Sequence, residues 1–194
     1  MENFFAFMSY VVISSFTPGP VNIISMSNSS KYGFKKSIPF SAGATTAFFV
    51  IFSLCGFFSA SLFHLIPSIE SIMVYIGAAY ILWLAYSIYT SKPKNDSQDH
   101  RKTTSYIPGF LFQFVNPKGI IYAITTVATF VTPYYKSGPI VFVFAATLSA
   151  IIFIANSSWA LFGTVFQKFL AEHSKLTNTI MALLLVYCAI SLFI

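Results

Sequence analysis

Apolar runs of near-spanning length recur along this chain at about 3–27, 38–63, 66–90, 106–131, 139–165 and 176–194, separated by polar connectors. Each is close to the roughly 20 residues an α-helix needs to cross a hydrocarbon layer. Backbone amides and carbonyls find no water inside lipid, so runs of this length insert as helices that satisfy their own hydrogen bonds. Hydrophobic residues make up 56% of the 194 and charged residues 8%, too little polar surface to cover a soluble globule. The expected fold class is all-α integral membrane, a single domain over 1–194 with six transmembrane helices. The first run follows Glu2 and closes on no small-residue cleavage pattern, so it is read as a helix and not as a removable signal peptide.

The connectors orient the spans. Lys and Arg number three in the first (Lys31, Lys35, Lys36), none in the second, four in the third (Lys92, Lys94, Arg101, Lys102), one in the fourth (Lys136) and two in the fifth (Lys168, Lys175). Basic loops stay cytoplasmic, which places the odd connectors inside and both termini outside. The net charge of +6 is therefore read as topology and not as a nucleic-acid surface. Only the third connector is long, and its polar 91–105 stretch reads as a cytoplasmic linker between half-repeats 1–90 and 106–194. Three helices per half is an odd number, so the second half enters the membrane inverted: a 3+3 inverted repeat.

Two proline-centred polar clusters interrupt the first and fourth runs, Thr17-Pro18-Gly19-Pro20 with Asn22, and Asn116-Pro117-Lys118. Proline removes a backbone donor and clashes with the preceding turn, and such breaks survive in lipid only where they line a cavity. Helices 1 and 4 are thus expected to be broken at corresponding points of the two halves, the pattern of secondary transporters. Pro20 and Pro117 suit the first turn of a new helical section, with Asn116 as a cap. Each new helix start would offer amide hydrogens and a positive dipole end to an anion such as an amino-acid carboxylate. Lys118 lies about twelve residues into its run, roughly 18 Å at 1.5 Å per residue. A cation so deep costs at least about 2.5–3.5 kcal/mol, so it should face a cavity or a partner.

Asn22, Gln113 and Asn156 are uncharged polar side chains at depth, suited either to a substrate's ammonium or hydroxyl group or to helix–helix bonds. Asn156-Ser157-Ser158 makes the fifth span the weakest of the six. Gly33, Gly43, Gly77 and Gly163 read as turns or close helix approaches, the 23 phenylalanines as lipid-facing and packing surface, and Cys55 and Cys188 as buried small hydrophobes. All five acidic residues, Glu2, Glu70, Asp96, Asp99 and Glu172, lie at run ends or in connectors, leaving no buried carboxylate as proton carrier. His64 sits at the end of the second run and His100 and His173 in loops. Nothing resembles a nucleophile with its base, a metal cluster, a phosphate loop or a channel filter, so neither enzyme activity nor a cofactor is expected.

The order and spacing of Thr17-Pro18-Gly19-Pro20, Asn22, Gly33, Gly43, Gly77-Ala78-Ala79-Tyr80, Leu84, Gly109-Phe110 and Asn116-Pro117-Lys118 resemble the LysE/RhtB family of amino-acid exporters across essentially the whole chain. Ala85 stands where many relatives have glycine, and Gly119 where many have alanine. The stretches 77–85, Trp159-Ala160-Leu161 and 183–189 are similar to the family's cysteine- and O-acetylserine-exporting members. The resemblance implies a bacterial inner-membrane permease moving small amino acids outward, periplasmic at both termini, at the expense of a proton or other ion gradient; a homo-oligomer is compatible with the sequence. The resemblance also implies Pro18, Gly19, Pro20, Asn22, Asn116, Pro117 and Lys118 as substrate contacts or hinges, beside Thr17 in the same cluster. Cysteine and O-acetylserine are the first-choice substrates, with homoserine, threonine or a basic amino acid as runners-up. The lack of buried carboxylates argues against a cationic substrate side chain. The reading of another class is a non-transporting scaffold whose broken helices bind lipid or a partner protein.

Overall fold

Proline sets helix boundaries at both expected positions. The computed structural model describes residues 4–58, 75–90, 104–135 and 138–190, and every regular element among them is a helix. Helix α1 (Phe4–Phe16) ends before the first proline cluster, and α2 (Pro20–Tyr32) starts on Pro20 in its first turn with Gly19 at the N-cap. Helix α5 (Tyr106–Phe114) ends before the second cluster, and α6 (Pro117–Thr126) starts on Pro117 with Asn116 at the N-cap, running on through a π-helical turn, Val127–Val131. The axes bend by 44° at the first break and by 63° at the second. The end of α5 tightens, as the amides of Val115 and Asn116 bond the carbonyls of Phe112 and Gln113 three residues back.

Two further helices, α3 (Phe34–Phe57) and α7 (Gly138–Val165), are each long and apolar enough to cross a membrane. The two bent pairs meet the same test when each pair is counted as one span, and α4 (Tyr75–Tyr89) and α9 (Ser174–Ile190) are shorter apolar helices. A short helix, α8 (Gln167–Glu172), precedes α9. Segments 59–74 and 91–103, with His64, Glu70, His100 and most of the expected linker, lie outside the described residues.

Several boundaries differ from expectation. The polar stretch after residue 27 is not a connector: α2 continues to Tyr32 and α3 begins at Phe34, leaving Gly33 alone as the corner. Gly33 has φ +87°, a conformation that side-chain-bearing residues rarely adopt. Ser25, Ser27 and Ser29 of α2 are buried because α2 is packed between α3 and α7. Ser25 shares a 3.0 Å hydrogen bond with Ser41 of α3, and the Ser29 hydroxyl donates to the Ala160 carbonyl of α7. The fifth run, by contrast, stands as expected: α7 continues through Asn156-Ser157-Ser158, with the Ser158 hydroxyl donating to the Ile154 carbonyl at 2.8 Å. The fifth connector is partly helical, as α8.

Apolar packing is divided. One cluster joins α1, α3, α6 and α7 around Val11, Phe48, Phe52 and Leu148; another joins α2, α4 and α9 around Ile23, Ile81, Met181 and Leu185. Phe48 and Phe52 have no exposed surface, whereas Phe5 is 88% exposed, so phenylalanine serves both packing and the outer face. Glycine allows helix backbones to touch. A Cβ on Gly43 would lie 2.0 Å from the Tyr106 carbonyl oxygen, and one on Gly109 2.1 Å from that of Phe40, which locks α3 against α5 from both sides. Gly163 does the same for α7 against the Met26 carbonyl of α2.

Candidate functional site

The break between α1 and α2 leaves the carbonyls of Ser15, Phe16, Thr17 and Pro18 without the amide donors a continuous helix would bring from four residues on. Each finds a side chain instead. Asn22 Nδ2 donates to Ser15 at 3.1 Å and to Thr17 at 2.9 Å, and Trp159 Nε1 of α7 donates to Phe16 at 3.2 Å. Lys118 Nζ, arriving from the second break, donates to the Thr17 carbonyl at 2.9 Å, to the Thr17 hydroxyl at 3.0 Å and to the Pro18 carbonyl at 3.5 Å. The Cys188 thiol of α9 lies 3.9 Å from that last oxygen. The first break is therefore held together by Asn22 of α2 itself and by three other helices.

Lys118 stands in the first turn of α6, where the helix dipole disfavours a cation, but its ammonium reaches the C-terminal end of α1, where the dipole favours one. The two proline clusters thereby meet at one ammonium. The fit is close: a Cβ on Gly19 would lie 2.9 Å from Lys118 Cδ and 3.0 Å from Nζ. On the other side Gly77 of α4 admits the Pro117 ring, whose Cγ would be 2.6 Å from a Cβ there.

Of the eight residues singled out in the sequence, Gly19, Pro20, Asn22, Asn116 and Lys118 border a cavity of ≈ 50 Å³, and Thr17, Pro18, Pro20 and Lys118 border a cleft of ≈ 490 Å³. The two share Ser14, Pro20, Lys118 and Tyr122. Pro117 packs where Gly77 passes. One role differs from expectation, and for Asn22 the helix-bonding alternative is the one seen. Asn116 occupies the cap position of α6 without capping it through its side chain: its Nδ2 donates to Gln113 Oε1 at 2.9 Å, and its Oδ1 accepts from no helix amide. Asn22 commits its amide nitrogen to the broken helix, so Asn22→Leu, of similar volume, is expected to cost about 2 kcal/mol by stripping the Ser15 carbonyl of this donor. A lowered unfolding midpoint in detergent would show it, and an unchanged midpoint would mean that Ser15 is met otherwise.

Ser15, Tyr122 and Trp159 escaped notice as site residues. Tyr122 could have been found from its spacing, one helical turn after Lys118 and on the same face. Trp159 could have been found from its indole N–H, which needs a partner when placed in an apolar run. Among the described residues no group of His, Cys, Asp or Glu could hold a metal ion.

Two apolar helix pairs broken at proline, joined by one lysine that borders two cavities, define a multi-pass membrane protein of the translocator class. Residues 12–194 match the family model described as LysE type translocator, and the chain belongs to that family. It is 38% identical over 188 residues to the cysteine/O-acetylserine efflux proteins of Escherichia coli (strain K12) and Shigella sonnei (strain Ss046), and 40% identical to that of Salmonella choleraesuis (strain SC-B67). Each alignment covers 97% of this chain and 96% of the relative. No solved structure matches the chain.

Proposed function

We propose that the chain is a secondary transporter that exports small neutral amino acids, cysteine and O-acetylserine first among them, across the bacterial inner membrane. In this reading six spans form a 3+3 inverted repeat: the bent pair α1–α2 with α3 and α4, and the bent pair α5–α6 with α7 and α9. The odd connectors are cytoplasmic and both termini periplasmic. The observation that supports it most is the bridge from Lys118 to Thr17 and Pro18, which ties the break of one half to the break of the other beside a cavity.

The chemistry follows from that bridge. A substrate carboxylate entering the cavity competes with the Thr17 and Pro18 carbonyls for the Lys118 ammonium, and it also meets the first-turn amides of α2 and α6. Engaging the substrate thus loosens the link between the two halves, and rocking of one half against the other exposes the site to the opposite face. Net export draws on an ion gradient. Lys118 is the one cationic group among the described residues lining both cavities and the place where coupling would act.

Retention of labelled cysteine and O-acetylserine in cells with and without the protein tests the reading. Faster loss with the protein present is expected, and equal retention of both compounds would overturn it in favour of a scaffold.

A further inference from the structure

Seven buried side-chain polar atoms have no hydrogen-bond partner among the described residues, and four of them belong to residues on the wall of the ≈ 50 Å³ cavity: Ser15 Oγ, Asn116 Oδ1, Tyr122 OH and Asn156 Nδ2. Their residues are only 2–6% exposed and come from α1, the α6 cap, α6 and α7. The Ser15 and Tyr122 hydroxyls are neighbours, yet neither makes a well-formed bond to protein. Each unmet buried group costs on the order of 1–3 kcal/mol, so four around one small cavity amount to a site built to receive something.

The donor set names the ligand's charge. Asn156 Nδ2 only donates, both hydroxyls can donate, and the Lys118 ammonium and the opening turns of α2 and α6 border the same space. No carboxylate among the described residues lines it. This environment repels a bare metal cation and suits a carboxylate. Asn116 Oδ1, an acceptor, suits an ammonium hydrogen beside it.

Size adds the second constraint. A water-sized group needs about 10–15 Å³ of such space, so the cavity takes a head group and not a whole amino acid. The remainder must lie across the shared wall, in a cleft nearly ten times larger that is bordered by Ile81, Ile121, Leu184 and Tyr187.

Resting on the exporter reading, we propose that Ser15, Tyr122, Asn156 and Asn116 Oδ1 form a recognition site for the α-carboxylate and α-ammonium of the substrate. The side chain is left in the wide cleft, only weakly selected. One site then serves a thiol and an acetyl ester that share a zwitterionic end and differ beyond the β-carbon.

The test uses the full chain reconstituted in lipid vesicles, with labelled cysteine and labelled O-acetylserine. Cysteamine, which lacks the carboxylate, and N-acetylcysteine, which lacks the ammonium, are expected to compete at least tenfold more weakly than cysteine. Tyr122→Phe, which removes one hydroxyl, and Asn156→Ala are expected to raise KM about tenfold for both substrates by the same factor. Cysteamine competing as well as cysteine, or a KM shift confined to one substrate, would overturn the head-group assignment alone. A wild-type protein that moves neither compound would instead overturn the exporter reading. The competition arm needs no variant, so it decides the matter even if Asn156→Ala folds poorly.

Discussion

Lys118→Met is expected to abolish export of cysteine and O-acetylserine while the protein still inserts and folds. Methionine matches the length of the lysine stem and leaves the space beside Gly19 filled, so packing at the break is preserved. Three oxygens lose the ammonium, but the Thr17 carbonyl keeps the Asn22 donor and the Pro18 carbonyl keeps the Cys188 thiol beside it. What disappears is the charge that links the two halves and that would compete for a carboxylate. The measurement is efflux of labelled substrate against the amount of folded protein recovered from the membrane. Export per folded molecule equal to that of the unsubstituted chain would remove Lys118 from the mechanism. Lys118→Arg sharpens the point: it keeps the cation but brings a wider, planar group into a space closed by Gly19, and export is expected to fall to a small fraction.

The largest stability effect is expected at Gly43. A Cβ there would sit 2.0 Å from the Tyr106 carbonyl oxygen and 2.8 Å from the Phe110 amide nitrogen, both backbone atoms that cannot rotate away. Gly43→Val must therefore push α3 and α5 apart, and with them the α5–α6 break that α5 carries. The cost is expected to reach about 3 kcal/mol, the upper end for overpacked sites. It should appear as a much lower unfolding midpoint in detergent and a reduced yield of inserted protein. A midpoint within error of the parent would mean that the two helices do not approach this closely.

Both positions show how far local pattern reaches. Proline's missing amide and fixed φ act wherever the residue stands, so Pro20 and Pro117 announced their helix starts without reference to anything distant. The cost of a cation in hydrocarbon is also independent of neighbours, which is why Lys118 stood out at once. The misjudged segment has another cause. The stretch from Asn28 to Ser37 reads as a connector because its polarity suggests water, whereas it is helical on both sides of Gly33 and the buried Ser29 finds the Ala160 carbonyl of α7. The fifth span, read from 139 to 165 despite Asn156-Ser157-Ser158, runs unbroken as α7. Ser15 and Tyr122 are single polar groups in apolar helices, and nothing along the chain says that they share a cavity wall with Asn156.

The apolar runs and the two proline clusters thus dictate, residue by residue, a helical membrane chain with two interrupted spans, because solvation and backbone geometry are local. Where the interruptions meet, which oxygens the Lys118 ammonium finds, and which polar atoms are left facing a common cavity depend on contacts between residues about a hundred positions apart, as from Lys118 to Thr17. Those contacts arise only when helices pack closely, at crossings such as Gly43 on Tyr106 and Gly163 on Met26 where backbone rests on backbone.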